Sequence, residues 1–145
     1  MGPETSLWNT LKKQLPNDVF AERIENRQGG GFPDVFLCRE GHIQLIELKV
    51  PQSFPKPVGQ LNGGGILLSR NFLRPSQVAF MVRAYRCKCA ISILARNKTT
   101  KNISILTPVR WQNLASPADH GPGIYLLESL KTASWPEVLA ALRLD

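Results

Sequence analysis

Residues 29–49 read GGGFPDVFLCREGHIQLIELK, and how this stretch pairs with itself decides the fold. Residues 34–38 and 43–50 are rich in Val, Ile, Leu and Phe at successive positions, as expected of strands covered by helices on both faces of a sheet. If Glu40-Gly41 forms a two-residue hairpin loop, cross-strand partners sum to 81. Arg39 then faces His42, Cys38 faces Ile43, Phe36 faces Leu45, and Asp34 faces Glu47. Directly opposed residues have Cβ atoms about 4.5 to 5.5 Å apart, so two carboxylates there repel unless something positive lies between them. Lys49, two residues beyond Glu47, falls on the same face about 7 Å further along. A register error of one residue would send Asp34 and Glu47 to opposite faces.

A divalent cation meets the need of such a pair. Magnesium is commonly held by one or two carboxylates with waters and substrate phosphate oxygens, whereas softer metals prefer Cys and His. Mg²⁺, with Mn²⁺ as a substitute, therefore fits Asp34 and Glu47. A metal that polarises a phosphate and lowers the pKa of a bound water, beside an ammonium that orients the nucleophile, suits phosphodiester hydrolysis. The bland alternative makes Asp34 a turn residue after Pro33 and leaves Glu47 and Lys49 as edge-strand charges in solvent.

Outward from the hairpin, Leu7, Trp8, Leu11 and Leu15 recur at helical spacing, which predicts an amphipathic helix over residues 5–15 closed by Pro16. Residues 19–25, VFAERIE, lie between a turn and the glycines and are read as a strand, with a helix as the alternative. Residues 51–71 carry three prolines and a second Gly triplet and read as a long loop near the site. LRPSQVAFMVRAYR reads as a helix with Pro75 near its first position and Val78, Met81, Val82 and Tyr85 along one side. CAISILA and ISILT read as strands joined by the basic tip RNKTTKN. Ser134 and Glu137 have capping-box spacing at the start of a terminal helix. These elements give one α/β domain over residues 1–145, ordered αβββαβ, with one mixed central sheet flanked by helices.

Eighteen Lys and Arg against eleven Asp and Glu leave a net charge of +7, a balance that favours a polyanionic partner such as nucleic acid. Cys38, Cys87 and Cys89 have neither disulfide-framework nor zinc spacing, so free thiols in a reducing compartment are expected. With no apolar run near the ~20 residues that span a bilayer, the reading is a cytoplasmic protein with no membrane partner. The triplet at residues 29–31 lacks the Gly-Lys-Ser/Thr ending of a P-loop, so no nucleotide cofactor is expected and flexible turn glycine is the reading kept.

Pro33-Asp34 followed after a hairpin-length spacer by Glu47-Leu48-Lys49 resembles the signature of the PD-(D/E)XK nuclease superfamily. The wider pattern RIENRQGGGFPDVFL, LIELKV and LRPSQVAFM resembles its small phage-type and VRR-NUC-like branch, which includes Holliday junction resolvases. The resemblance covers about residues 5–95 and implies a restriction-endonuclease-like core. It implies that Asp34 and Glu47 bind catalytic Mg²⁺, that the Leu48 carbonyl adds a ligand, and that Lys49 positions or activates the attacking water. The family's earlier acid is assigned first to Glu25, with Glu4 or Glu22 as substitutes. Gln77 matches a glutamine that opens the helix after the lysine strand in this branch, and counts as a catalytic candidate. Arg27, Lys56, Arg70, Arg74, Arg83, Arg86, Lys98 and Lys101 are candidates for contacting the nucleic-acid backbone.

The expectation is thus a Mg²⁺-dependent DNA endonuclease selective for branched DNA such as a Holliday junction, acting as a homodimer because one small site must cut two strands. Within the class, a sequence-specific homing or restriction-type enzyme is the alternative. From another class, the alternative is an inactive nucleic-acid-binding module on the same fold.

Overall fold

The computed structural model describes residues 2–24, 31–53, 59–60, 66–67, 73–106, 126–127 and 133–144. The first helix, α1 (Pro3–Gln14), begins two residues before the expected start, because Pro3 suits a first turn whose amides have no intrahelical partner. Glu4 in its first turn and Lys12 and Lys13 in its last complement the helix dipole. Leu15 then turns extended ahead of Pro16, which disfavours helical backbone in its predecessor.

Three antiparallel strands follow: β1 (Phe20–Arg23), β2 (Val35–Arg39) and β3 (His42–Lys49). After β4 (Gly59–Gln60) and β5 (Ile66–Leu67) comes α2 (Pro75–Arg86), with Pro75 at its first position as expected. Next are β6 (Ala90–Arg96), β7 (Ile103–Leu106), β8 (Leu126–Leu127) and α3 (Trp135–Ala141). The main sheet runs in the order β1-β2-β3-β6-β7, with β6 parallel to β3 and all other neighbours antiparallel. This is the mixed α/β sheet in αβββαβ order expected of a restriction-endonuclease-like core.

The all-apolar strands are explained by what lies on each face. On one, Ile46 and Leu48 of β3 join Val35, Leu37 and Leu94 against Leu7, Trp8 and Leu11 of α1 and Val138 of α3. On the other, Ile91, Ile93 and Ala95 of β6 pack on Met81 of α2 and on Leu73 just ahead of that helix, with Leu45 of β3 at the margin. Leu7, Leu11, Ile46, Leu48 and Ile93 are wholly buried, each contributing about 1.5 to 3 kcal/mol of transfer free energy. The terminal helix carries the expected capping box, Ser134 accepting from the Glu137 amide while the Glu137 carboxylate accepts from the Ser134 amide.

Residues 51–71 depart from a plain loop. Within them β4 and β5 pair antiparallel, and β5 pairs with β8 to make a separate three-stranded sheet. Strands of two residues are too short for a period-two pattern to show in sequence. Among the described residues no helix is long and apolar enough to cross a membrane, and Cys38, Cys87 and Cys89 are free thiols.

Candidate active site

The central hairpin has the register that the turn arithmetic gives: Arg39 pairs with His42, Cys38 with Ile43, Phe36 with Leu45 and Val35 with Ile46. Glu40 and Gly41 both adopt left-handed backbone, φ 51° and 77°, the conformation of a type I′ turn. Asp34 stands one residue before this ladder and Glu47 one residue after Ile46, so the two carboxylates meet where the strands begin to diverge. The Leu48 amide donates to Asp34 Oδ2 at 2.9 Å, and the Ile24 amide donates to the Asp34 carbonyl at 2.7 Å. Asp34 is thereby fixed from both neighbouring strands.

Glu47 is only 3% exposed, an unusual place for a carboxylate. Its Oε1 accepts from Gln77 Nε2 at 2.6 Å, and Gln77 Oε1 in turn accepts from the Arg74 amide at 2.9 Å. Gln77 is itself buried in the first turn of α2. The fold uses Gln77 to hold Glu47. Lys49 Nζ lies 3.9 Å from Glu47 Oε1 on the same face of β3.

Burial, and next the charge of Asp34, push the Glu47 carboxyl up to about 8, against the opposing pull of the Lys49 ammonium; a hydrogen bond with Asp34 and the charge of Glu4 push the same way. Glu4 is raised as well, by burial first and then by Asp34, while Lys49, Arg23 and Arg74 lower it. Three carboxylates and three cations therefore share one electrostatic field. Of the three acids considered for the earlier position, Glu22 is exposed on β1, Glu25 lies outside the described residues, and Glu4 lies close enough to Asp34 to feel its charge. A signal for it was present in the sequence: Glu4 stands at i−3 from Leu7, i−4 from Trp8 and i−7 from Leu11, so it extends the buried stripe of α1 past the core and into the site.

Among the described residues, no three His, Cys, Asp or Glu side chains close into a complete metal cage. The donor set nevertheless fits a hard cation. Asp34 and Glu47 offer only oxygen ligands, and the elevated Glu47 carboxyl marks negative charge that nothing in the protein fully compensates. One or two carboxylates with waters and substrate phosphate oxygens are the usual complement of Mg²⁺.

At Gly31 the reading of a flexible turn glycine gives way to a packing requirement. It is buried with φ +101°, and a Cβ there would lie 2.1 Å from the Ser76 carbonyl oxygen and 2.7 Å from its carbon. Gly31 is required because the chain entering Asp34 lies backbone to backbone on the first turn of α2, beside Gln77. Gly29 and Gly30 lie outside the described residues.

Of the basic candidates, Arg74 precedes α2 at the site, Arg83 is exposed on α2, and Lys98 and Lys101 are exposed on the β6–β7 turn. That turn is anchored beside the end of β3: the Lys98 amide donates to the Pro51 carbonyl at 2.8 Å and Thr99 Oγ1 to the Gln52 carbonyl at 3.0 Å. Arg86 lies in α2, while Arg27, Lys56 and Arg70 fall outside the described residues. Arg23 was not anticipated; its Nη1 donates to Thr5 Oγ1 at 2.6 Å, which places it next to Glu4.

No protein-family model matches the chain, and no curated protein matches it in sequence. Among solved structures it is similar to that of Hjc from Archaeoglobus fulgidus, a Holliday junction resolvase from an archaeal hyperthermophile. The two share 16% identity over 87% of this chain and 88% of that one, with a TM-score of 0.47.

Proposed function

We propose that residues 1–145 form one nuclease domain that hydrolyses phosphodiester bonds in DNA with Mg²⁺, or Mn²⁺ in its place, and prefers branched DNA such as a Holliday junction. The observation that carries the reading is the meeting of Asp34, a buried Glu47 and Lys49 at one end of the central hairpin, with Glu4 beside them. Asp34, Glu47 and the Leu48 carbonyl would hold the metal. Bound there, it would polarise the scissile phosphate and acidify a water.

The protein's own groups do the rest. Gln77 keeps the Glu47 carboxylate oriented, and the Leu48 amide does the same for Asp34. The Lys49 ammonium stands where it orients a nucleophile or balances charge gained in the transition state. Exposed Arg74, Lys98 and Lys101 supply cations for the phosphate backbone, which fixes the position of a substrate without reading its sequence. A homodimer would present two such sites to the two strands of a symmetric junction.

The test is cleavage of a four-way junction, a linear duplex and a single strand, in Mg²⁺ and in EDTA, by the wild type, Asp34→Asn and Lys49→Ala. Metal-dependent cutting of the junction, lost in both variants, is expected. DNA binding without cleavage of any substrate would make the chain an inactive binding module, and equal cutting by Asp34→Asn would dismiss this site.

A further inference from the structure

At the opposite end of the central hairpin, the β2–β3 turn and the residues after α3 surround an open pocket of about 370 Å³, lined by Arg39, Glu40, His42 and Arg143. Five residue steps separate Asp34 from Arg39, roughly 17 Å of extended chain, so this pocket is separate from the acid cluster. Its basic residues were not among those singled out in the sequence.

The pocket is held together by a buried amide. Gln44, 5% exposed, donates from Nε2 to the Leu142 carbonyl at 3.2 Å, and the same nitrogen lies 3.0 Å from His42 Nε2. A nitrogen placed to donate to a carbonyl also donates to the ring, so His42 Nε2 accepts and Nδ1 is the ring nitrogen that carries an N–H. Gln44 thereby ties the end of α3 to the hairpin. Arg143, the next residue, turns into left-handed backbone with φ 56° and joins the pocket lining. Across the pocket, Arg39 is steadied by Asp18, its Nε 2.9 Å from Asp18 Oδ2.

We propose that this pocket binds a phosphate group. Arg143 supplies a planar, permanently charged donor fork suited to phosphate oxygens, Arg39 brings a second guanidinium whose Nε is already held by Asp18, and His42 adds a ring N–H. Among the described lining residues these face one carboxylate, Glu40, with Asp18 paired to Arg39, and no thiol that would favour a soft metal. The same chemistry recognises a free phosphate or a phosphate of a nucleic-acid backbone.

The test uses the full chain in EDTA, titrated with inorganic phosphate and pyrophosphate at constant ionic strength and followed by backbone amide and His42 ring NMR shifts. Saturable shifts at Arg39, His42 and Arg143 are expected in the wild type. Arg143→Asn, in which Asn tolerates the left-handed backbone, should weaken binding roughly tenfold, as for one lost charge-assisted hydrogen bond. Arg143→Lys, keeping charge without the fork, should fall between. Shifts that grow without saturating, or wild-type binding by Arg143→Asn with an unchanged melting temperature, would overturn the assignment.

A short duplex then distinguishes the sources. If the phosphate belongs to nucleic acid, Arg143→Asn lowers the slope of log affinity against log salt by about one; an unchanged slope with phosphate binding lost assigns a free phosphate. Glu47→Gln should retain the phosphate response, so this site and the nuclease reading stand or fall separately.

Discussion

Replacing Glu47 with Gln should make the metal-free protein more stable and abolish its activity. In the folded state the Glu47 carboxyl titrates at about 8 instead of its ordinary 4.5, chiefly because burial and Asp34 oppose its ionisation. Its folded pKa lies above the unfolded one, so between these two values the folded state binds the extra proton. The contribution of this group is therefore fully present below pH 4.5 and is lost as pH rises through about 8. At ~1.4 kcal/mol per pH unit, the loss reaches about 3 kcal/mol at pH 7 and levels near 5 kcal/mol above pH 8. A Gln side chain escapes it, since its carbonyl oxygen still accepts from Gln77 Nε2 and it brings no charge towards Asp34. Urea unfolding in EDTA at pH 4.5, 6, 7 and 8 should thus give a variant-minus-wild-type difference that begins near zero and climbs to about 3 kcal/mol at pH 7. Mg²⁺ should then stabilise the wild type by mass action and leave the variant little changed. A stability difference that stays flat across this range, or a variant that still cuts DNA, would refute the account of Glu47 as a buried carboxylate kept for a cation.

Glu4→Gln should reduce cleavage by about 10²-fold while Glu22→Gln leaves it unchanged, measured as single-turnover rates with Glu25→Gln alongside; equal effects at Glu4 and Glu22 would remove Glu4 from the site. Gln77→Ala deprives a buried carboxylate of its donor at a cost of roughly 1.5 to 3 kcal/mol, and should move the pH–rate profile to higher pH, because a lost donor raises the Glu47 pKa further. Gly31→Ala should destabilise by roughly 3 kcal/mol or more and impair activity with it, since its Cβ would meet Ser76 backbone and φ +101° disfavours any side chain. Thermal unfolding and cleavage of the same samples would check both effects, and a fully stable Gly31→Ala would contradict the packing of this loop on α2.

How far the site was legible depended on the range of the contacts that make it. Asp34, Glu47 and Lys49 could be brought together from the chain alone, because a two-residue turn fixes register and the strand period of two then fixes the face. The helices at residues 75–86 and 135–141 were equally readable, from Pro75 in one and the Ser134–Glu137 capping box in the other. All of these relations lie within one turn, one hairpin or one helix start. Other features depend on elements distant in sequence: Glu4 joins the acids only when α1 packs its Leu7, Trp8 and Leu11 stripe on the sheet. Gln77 meets Glu47 across thirty residues, and Gly31 shows its purpose only against Ser76. Gln44 reaches the Leu142 carbonyl near the far end of the chain. The sequence by itself therefore determined the hairpin and the charges it aligns, through local backbone geometry. The tertiary structure decided which acid joins them, which amide orients them and how deeply they are buried, because burial and helix-to-sheet packing come from the whole chain acting together.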